Sequence, residues 1–200
     1  MMNGCPRWSF LTLPLLAALG CSDPVPRPAR ANVKLSVQKP VAGTGNCPVP
    51  GKTYDVGNPK PPTLPPPPPG SPGDRLTDGE HGASIQCSVK GSGPFTFSGN
   101  IKATSGEGDP VTIGVSGSVN ADKVSGTAKI SVFTKELGGS FSSAADGCTV
   151  TVVNGNVKAG SVWASISCPS ITNPSTAQEC SVGPVDRTIS NFVFEDCDAG

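Results

Sequence analysis

The sequence predicts an all-β fold, an antiparallel β-sandwich or flattened barrel of about eight or nine strands, stapled by disulfides. Three observations carry this expectation. From Ala83 onward hydrophobic residues recur on every second position, the period of a strand with one buried and one wet face. Gly, Asn, Asp and Pro punctuate these runs at short intervals, and no stretch carries a 3.6-residue period, so helices are expected to be absent or trivial. The 8 cysteines in 200 residues supply the cross-links, and that length supports one core.

The elements follow in order. Val33, Leu35 and Val37 alternate with polar neighbours and form a first strand, and Thr53 to Val56 is a second short extended stretch. Ile85, Cys87 and Val89 alternate up to Gly91-Ser92-Gly93-Pro94, and Phe95, Phe97, Gly99 and Ile101 up to Gly106-Glu107-Gly108-Asp109-Pro110. Val111, Ile113, Val115, Gly117 and Val119 precede a turn at Asn120 to Lys123, after which Val124, Gly126, Ala128, Ile130 and Val132 return. Cys148 to Val153 leads into Asn154-Gly155, a pair suited to a type I′ hairpin because both residues accept positive φ, and Val157 to Cys168 is expected to return from it. Thr188 to Phe194 is the last strand, and the long loops fall near residues 42–82, 134–147 and 169–186. Small inward residues (Gly99, Gly117, Gly126, Ala128, Ala164) imply closely packed sheets, while the outward Ser, Thr, Lys and Asn read as a solvated face.

The N-terminus sets the address. Met1 to Arg7 carries one positive side chain, and Trp8 to Leu19 is largely apolar, too short to span a bilayer and shaped like a secretory signal. It ends in Ala18-Leu19-Gly20-Cys21, which resembles the lipobox of bacterial lipoproteins, with Ala18 standing where Leu is commoner. The resemblance implies a signal peptide over residues 1–20, acylation of Cys21 as the first mature residue, and stable attachment through several acyl chains. Asp directly after that Cys is the inner-membrane retention signal of such proteins; here Ser22 intervenes before Asp23, which points to the outer membrane. Residues 21–31 are then the lipidated Cys and its leash, and residues 32–200 a single sandwich domain. The stretch Asp78-Gly79-x-x-Gly82-Ala83-x-x-x-Cys87, with the Trp163 to Cys168 strand before Pro169, also resembles small uncharacterised envelope lipoproteins of Gram-negative soil bacteria. That likeness implies a periplasmic or surface location and assigns no activity.

Export makes the cysteines legible. Cys5 leaves with the signal and Cys21 is lipidated, so Cys47, Cys87, Cys148, Cys168, Cys180 and Cys197 remain as disulfide candidates in an oxidising compartment. No C-x-x-C spacing suggests a metal site. The preferred pairs are Cys47 with Cys87, Cys168 with Cys180, and Cys148 with Cys197. Fifteen of the 22 prolines lie between Pro24 and Pro72, including the run Pro65 to Pro69, a stiff polyproline II stretch expected as an inserted surface loop around residues 57–73.

Composition excludes more than it assigns. Fifteen basic and fifteen acidic side chains cancel, which leaves no field to recruit nucleic acid. His81 is the only imidazole, so multi-histidine metal sites are excluded and a hydrolase would have one base, His81 beside Asp78 or Glu80. Asp74, Asp78 and Glu80 could ligate Ca²⁺, but Asp78-Gly79 reads better as a turn and the spacing is not that of an EF-hand. Glu195, Asp196 and Asp198 read as a solvated tail, and Trp163 is out of phase with Val162, Ala164 and Ile166, as a core plug or a sugar-stacking platform. No nucleophile elbow, zinc-protease motif or phosphate loop is present, and no cofactor or structural metal is expected. The sequence therefore predicts a lipid-anchored envelope protein without catalytic activity, presenting a rigid sandwich for binding a protein or polysaccharide, or for support. The alternatives are a carbohydrate-binding sandwich and a hydrolase using His81.

Overall fold

The computed structural model describes residues 26–40, 45–57, 75–104, 108–183 and 190–200. The signal segment, Cys21, most of the Pro-rich loop and Asp74 lie outside these described residues.

Among the described residues twelve strands form, with one 3-10 turn at Glu80–Gly82. They are β1 (Arg30–Gln38), β2 (Lys52–Val56), β3 (Leu76–Thr77), β4 (Ser84–Gly91), β5 (Phe95–Thr104) and β6 (Pro110–Val119), followed by β7 (Ser125–Thr134), β8 (Gly139–Ser142), β9 (Cys148–Lys158), β10 (Ser161–Thr172), β11 (Glu179–Val182) and β12 (Asn191–Glu195). The count exceeds eight or nine because of three short strands, β3, β8 and β11, whose 2, 4 and 4 residues are too few to show a period. β8 and β11 lie inside segments that the sequence reads as loops.

All pairings between strands are antiparallel. β4, β5, β6 and β7 form a meander, and β7 then pairs with β9 through its first half and with β8 through its second. β10 continues the sheet through β12 to β1, which β2 flanks on the other side. The sheet bends back on itself, so that the Phe97 and Phe192 rings meet at 5.4 Å between centroids, and a Cβ on Gly99 would overlap the ring of Phe194. The strict alternation of β5, with Phe95, Phe97, Gly99 and Ile101 buried and the residues between them mostly exposed, aims one face into this core. Phe141, Phe192, Phe194, Leu35, Ile101 and Ile113 are its largest enclosed side chains, each contributing roughly 1.5–3 kcal/mol by leaving water.

The open edge at β4 is sealed by the C-terminus. Val89 N–H donates to the Asp198 carbonyl at 2.9 Å and Asp198 N–H to the Cys87 carbonyl at 3.1 Å, while Gly160 in the β9–β10 turn donates to Val89 at 2.8 Å. A sandwich thus becomes a flattened barrel, and a strand edge that would otherwise invite pairing with another chain is occupied. The acidic tail is accordingly held rather than freely solvated: Glu195 meets Arg30 at 3.2 Å and Arg75 at 2.6 Å, Asp196 meets Arg30 at 2.9 Å, and Asp198 meets Lys90 at 2.9 Å.

All six candidate cysteines are bridged, but in other pairs than the sequence suggested: Cys47–Cys180, Cys87–Cys197 and Cys148–Cys168. Register explains the difference. Asn154 and Gly155 do have positive φ, 51° and 66°, yet they bulge within β9 instead of turning the hairpin, which closes at Ala159-Gly160. The pairing shift across that bulge aligns Thr149 with Ser167 and sets Cys148 opposite Cys168, Cα atoms 4.1 Å apart. The tail beside β4 brings Cys197 to Cys87 in the same way. Three disulfides are the chemistry of an oxidising, exported compartment. Among the described residues no helix is long and apolar enough to cross a membrane.

Candidate functional site

The outer face of the β4–β8 meander carries a trough of about 580 Å³. Alternation places every second residue of each strand on this face, and antiparallel register lines those residues up across strands. One row reads Gln86, Asn100, Gly114, Ser131, Ser142, and the next reads Ser88, Ser98, Ser116, Lys129. The second row is extended by Asp198, which the tail sets beside Ser88. Gly114 leaves the middle of the first row without a side chain, and a Cβ there would approach the Ser131 hydroxyl at 2.6 Å. Gly114 and the serines are the small members of these rows, and Gln86, Asn100 and Lys129 are the longer ones.

These polar groups are unspent. None of the Gln86, Ser88, Ser98, Asn100, Ser116, Ser131 or Ser142 side chains is hydrogen-bonded to another described residue. Among the described lining residues Lys129 is the cation and Asp198 the anion, and Asp198 is paired with Lys90 at 2.9 Å at the edge of the same face. The Asp198 carboxyl lies below its ordinary range because the Gly200 N–H donates to it at 3.0 Å, with Lys90 adding a second hydrogen bond and its charge. One rung beyond Ser131 on the same strand stands Phe133, 47% exposed, with Thr112 and Ser140 beside it.

The residues singled out by chemistry go elsewhere. Asp78 accepts from the Ile85 N–H at 2.7 Å and Glu80 from the Thr77 N–H at 2.9 Å; both contacts fix the turn, and the Thr77 N–H lowers the Glu80 pKa. His81 sits in that turn with its side chain 71% exposed, and its ion-pair neighbour is Glu80 from the same segment, at 3.6 Å. Neither the trough nor the depression beside Trp163 is lined by His81. Among the described residues no three metal-ligating side chains cluster.

Trp163 is half-buried on the outside of β10, opposite Val193, at a second depression of about 390 Å³ that Arg75, Lys158 and Glu195 help to line. It is not beside Phe133: β7 meets β9, and through it β10, at residues 125–128, whereas Phe133 pairs with β8 at the far end of β7. Of the remaining aromatics, Tyr54, Phe95, Phe97, Phe141, Phe192 and Phe194 are buried. Tyr54 donates to Glu136 at 3.4 Å and accepts from Thr134 at 3.2 Å, and burial raises its phenol pKa.

The trough residues read in the sequence as a solvated sheet face. The available signal was the repetition of hydroxyl or amide residues at outward positions of successive strands around a glycine, which acquires meaning only once register aligns them. Comparison with protein-family models, with curated proteins and with solved structures finds no match.

Proposed function

We propose that the chain is an exported envelope protein, lipid-anchored through Cys21, without catalytic activity, whose sandwich presents the β4–β8 trough as a binding surface. The trough carries the binding part of this reading: a face of unspent amide and hydroxyl groups on rigid strands is preorganised to accept a ligand's hydrogen bonds. The address is supported by the Ala18-Leu19-Gly20-Cys21 sequence behind an apolar run and by the three disulfides. Nine residue steps separate Cys21 from Arg30 at the start of β1, a reach of at most about 30 Å, so the anchor holds the sandwich close to the bilayer. Ser22 directly after the Cys favours the outer membrane.

The membrane part is tested by fractionation. The wild-type chain is expected with the membranes, and globomycin, or Cys21→Ser, is expected to prevent lipid attachment and remove the mature domain from them. A Cys21→Ser chain that loses its signal and still pellets with membranes refutes the anchor.

A further inference from the structure

Resting on the trough as a binding surface, we propose that its ligand is an uncharged glycan chain laid across β4 to β8, with one sugar ring against Phe133. The first argument is charge. A nucleic acid or sulfated polymer needs a run of cations, whereas here Lys129 stands alone in the trough lining, Lys90 is paired with Asp198 at 2.9 Å, and Lys102 stands apart, one rung beyond Asn100 beside Thr112. The second is polarity. A lipid or an amphipathic helix needs a floor of large apolar side chains, whereas the outward side chains of these rows are Ser, Asn, Gln and Lys around Gly114.

An extended peptide is disfavoured by a third feature. Peptides added to sheets pair with a free edge, and the middle of the β4 edge, Cys87 to Val89, is occupied by the Asp198 bridge, the Gly160 N–H and the Cys87–Cys197 disulfide. What remains is a ligand whose groups both donate and accept. Sugar hydroxyls do so, as do the Ser hydroxyls and, between their two ends, the Gln86 and Asn100 amides.

Dimensions agree. A row crossing five strands is about 19 Å long at the usual strand spacing, room for about four rings of an extended glycan. Phe133 lies about 7 Å along β7 from Ser131, one rung from the row. Its exposed face matches the C–H face of a pyranose, and the open space over Gly114 lets a ring approach the sheet.

The experiment uses the full chain purified in detergent. Its probes are soluble neutral oligosaccharides of four to six units from the glucan, chitin and mannan series, with dextran sulfate and single-stranded DNA as charged comparators. At least one neutral probe is expected to bind in preference to both comparators. The Gln86→Ala/Asn100→Ala double variant, which removes two exposed side chains without a hydrogen-bond partner among the described residues, is expected to weaken binding by about tenfold or more. Phe133→Ala should weaken it too, and Trp163→Phe should leave it unchanged. Absence of binding to every neutral probe, preference for a charged comparator, or undiminished binding by the double variant would overturn the proposal. Membrane fractionation of the same cells separates the two readings. A membrane-bound chain that takes no neutral glycan refutes the ligand and leaves the anchor, while a chain free of membranes that binds one does the reverse.

Discussion

Glycine does two opposite things in adjacent strands of this molecule. Gly99, in phase with Phe97 and Ile101, points inward and leaves the space that the Phe194 ring fills from the facing layer. Gly114 points outward and deepens the trough. A side chain at the first has nowhere to go, because the ring is fully enclosed and its backbone is held between β1 and β10. Gly99→Val is therefore expected to destabilise the fold by about 2–3 kcal/mol, the upper range for overpacking, visible as a lower urea midpoint. Gly114→Ser meets only the Ser131 hydroxyl, the end of a small side chain, and should shift the midpoint by much less. Equal losses for the two would mean that the sheet does not fold over as described. The inward phase of Gly99 was legible from its neighbours; its partner, 95 residues later, was not, because which layer covers which depends on the bend of the whole sheet.

Among the elements, the C-terminal tail joins covalent, backbone and ionic contacts on one edge strand. Asp198 contributes through its carboxylate as well as its backbone, and its lowered pKa fixes the sign of the pH response. The folded chain keeps this group ionised where an unfolded chain would take up a proton. Its contribution is present above about pH 4 and is lost as pH falls through the lower folded value. The effect is small because the ion pair with Lys90 is exposed, so it is best read locally, in the protection factor of the Val89 amide that donates to the Asp198 carbonyl. Between pH 6 and pH 3 that protection should fall in the wild type and stay nearly level in Asp198→Asn. An equal fall in both would remove the carboxylate from the latch. The long strands β5, β6 and β7 were readable because their ten residues each fix both period and phase, and the shorter runs Val33-Leu35-Val37 of β1 and Ile85-Cys87-Val89 of β4 keep the same period. β8 and β11 were not, since four residues inside a polar loop become strands only by docking on β7, β10 and β1. The hairpin at Asn154-Gly155 misled for a specific reason. Positive φ is what a bulge and a type I′ turn both require, and the choice between them belongs to the neighbouring strands. That one misplacement concealed the Cys148–Cys168 pair; the other four cysteines, which still allow three pairings, are joined by the long-range placement of β11 and the tail, and the trough escaped for want of register information.

At the scale of the whole molecule the disulfides form a connected system rather than three independent clips. Cys47–Cys180 and Cys87–Cys197 span 133 and 110 residues, but when both are present they close one shared ring. It runs from Cys47 to Cys87 and from Cys180 to Cys197, roughly 60 residues, so either bridge removes less unfolded-chain entropy in the presence of the other than it would alone. Loop-closure entropy then assigns about 4 kcal/mol to removing either long bridge and about 3 kcal/mol to removing Cys148–Cys168, whose sequence separation is 20. Once one long bridge is gone, the other closes a loop of more than a hundred residues, and its removal should cost about 5 kcal/mol. Urea midpoints of Cys47→Ala/Cys180→Ala, Cys87→Ala/Cys197→Ala, Cys148→Ala/Cys168→Ala and the four-cysteine variant lacking both long bridges measure this directly. The expected order is a modest loss for Cys148–Cys168, a larger and nearly equal loss for each long bridge, and a combined loss exceeding the two single losses added together. Strict additivity of the long bridges would mean that they do not share a ring, and the placement of the tail against β4, which makes them share it, would then be wrong.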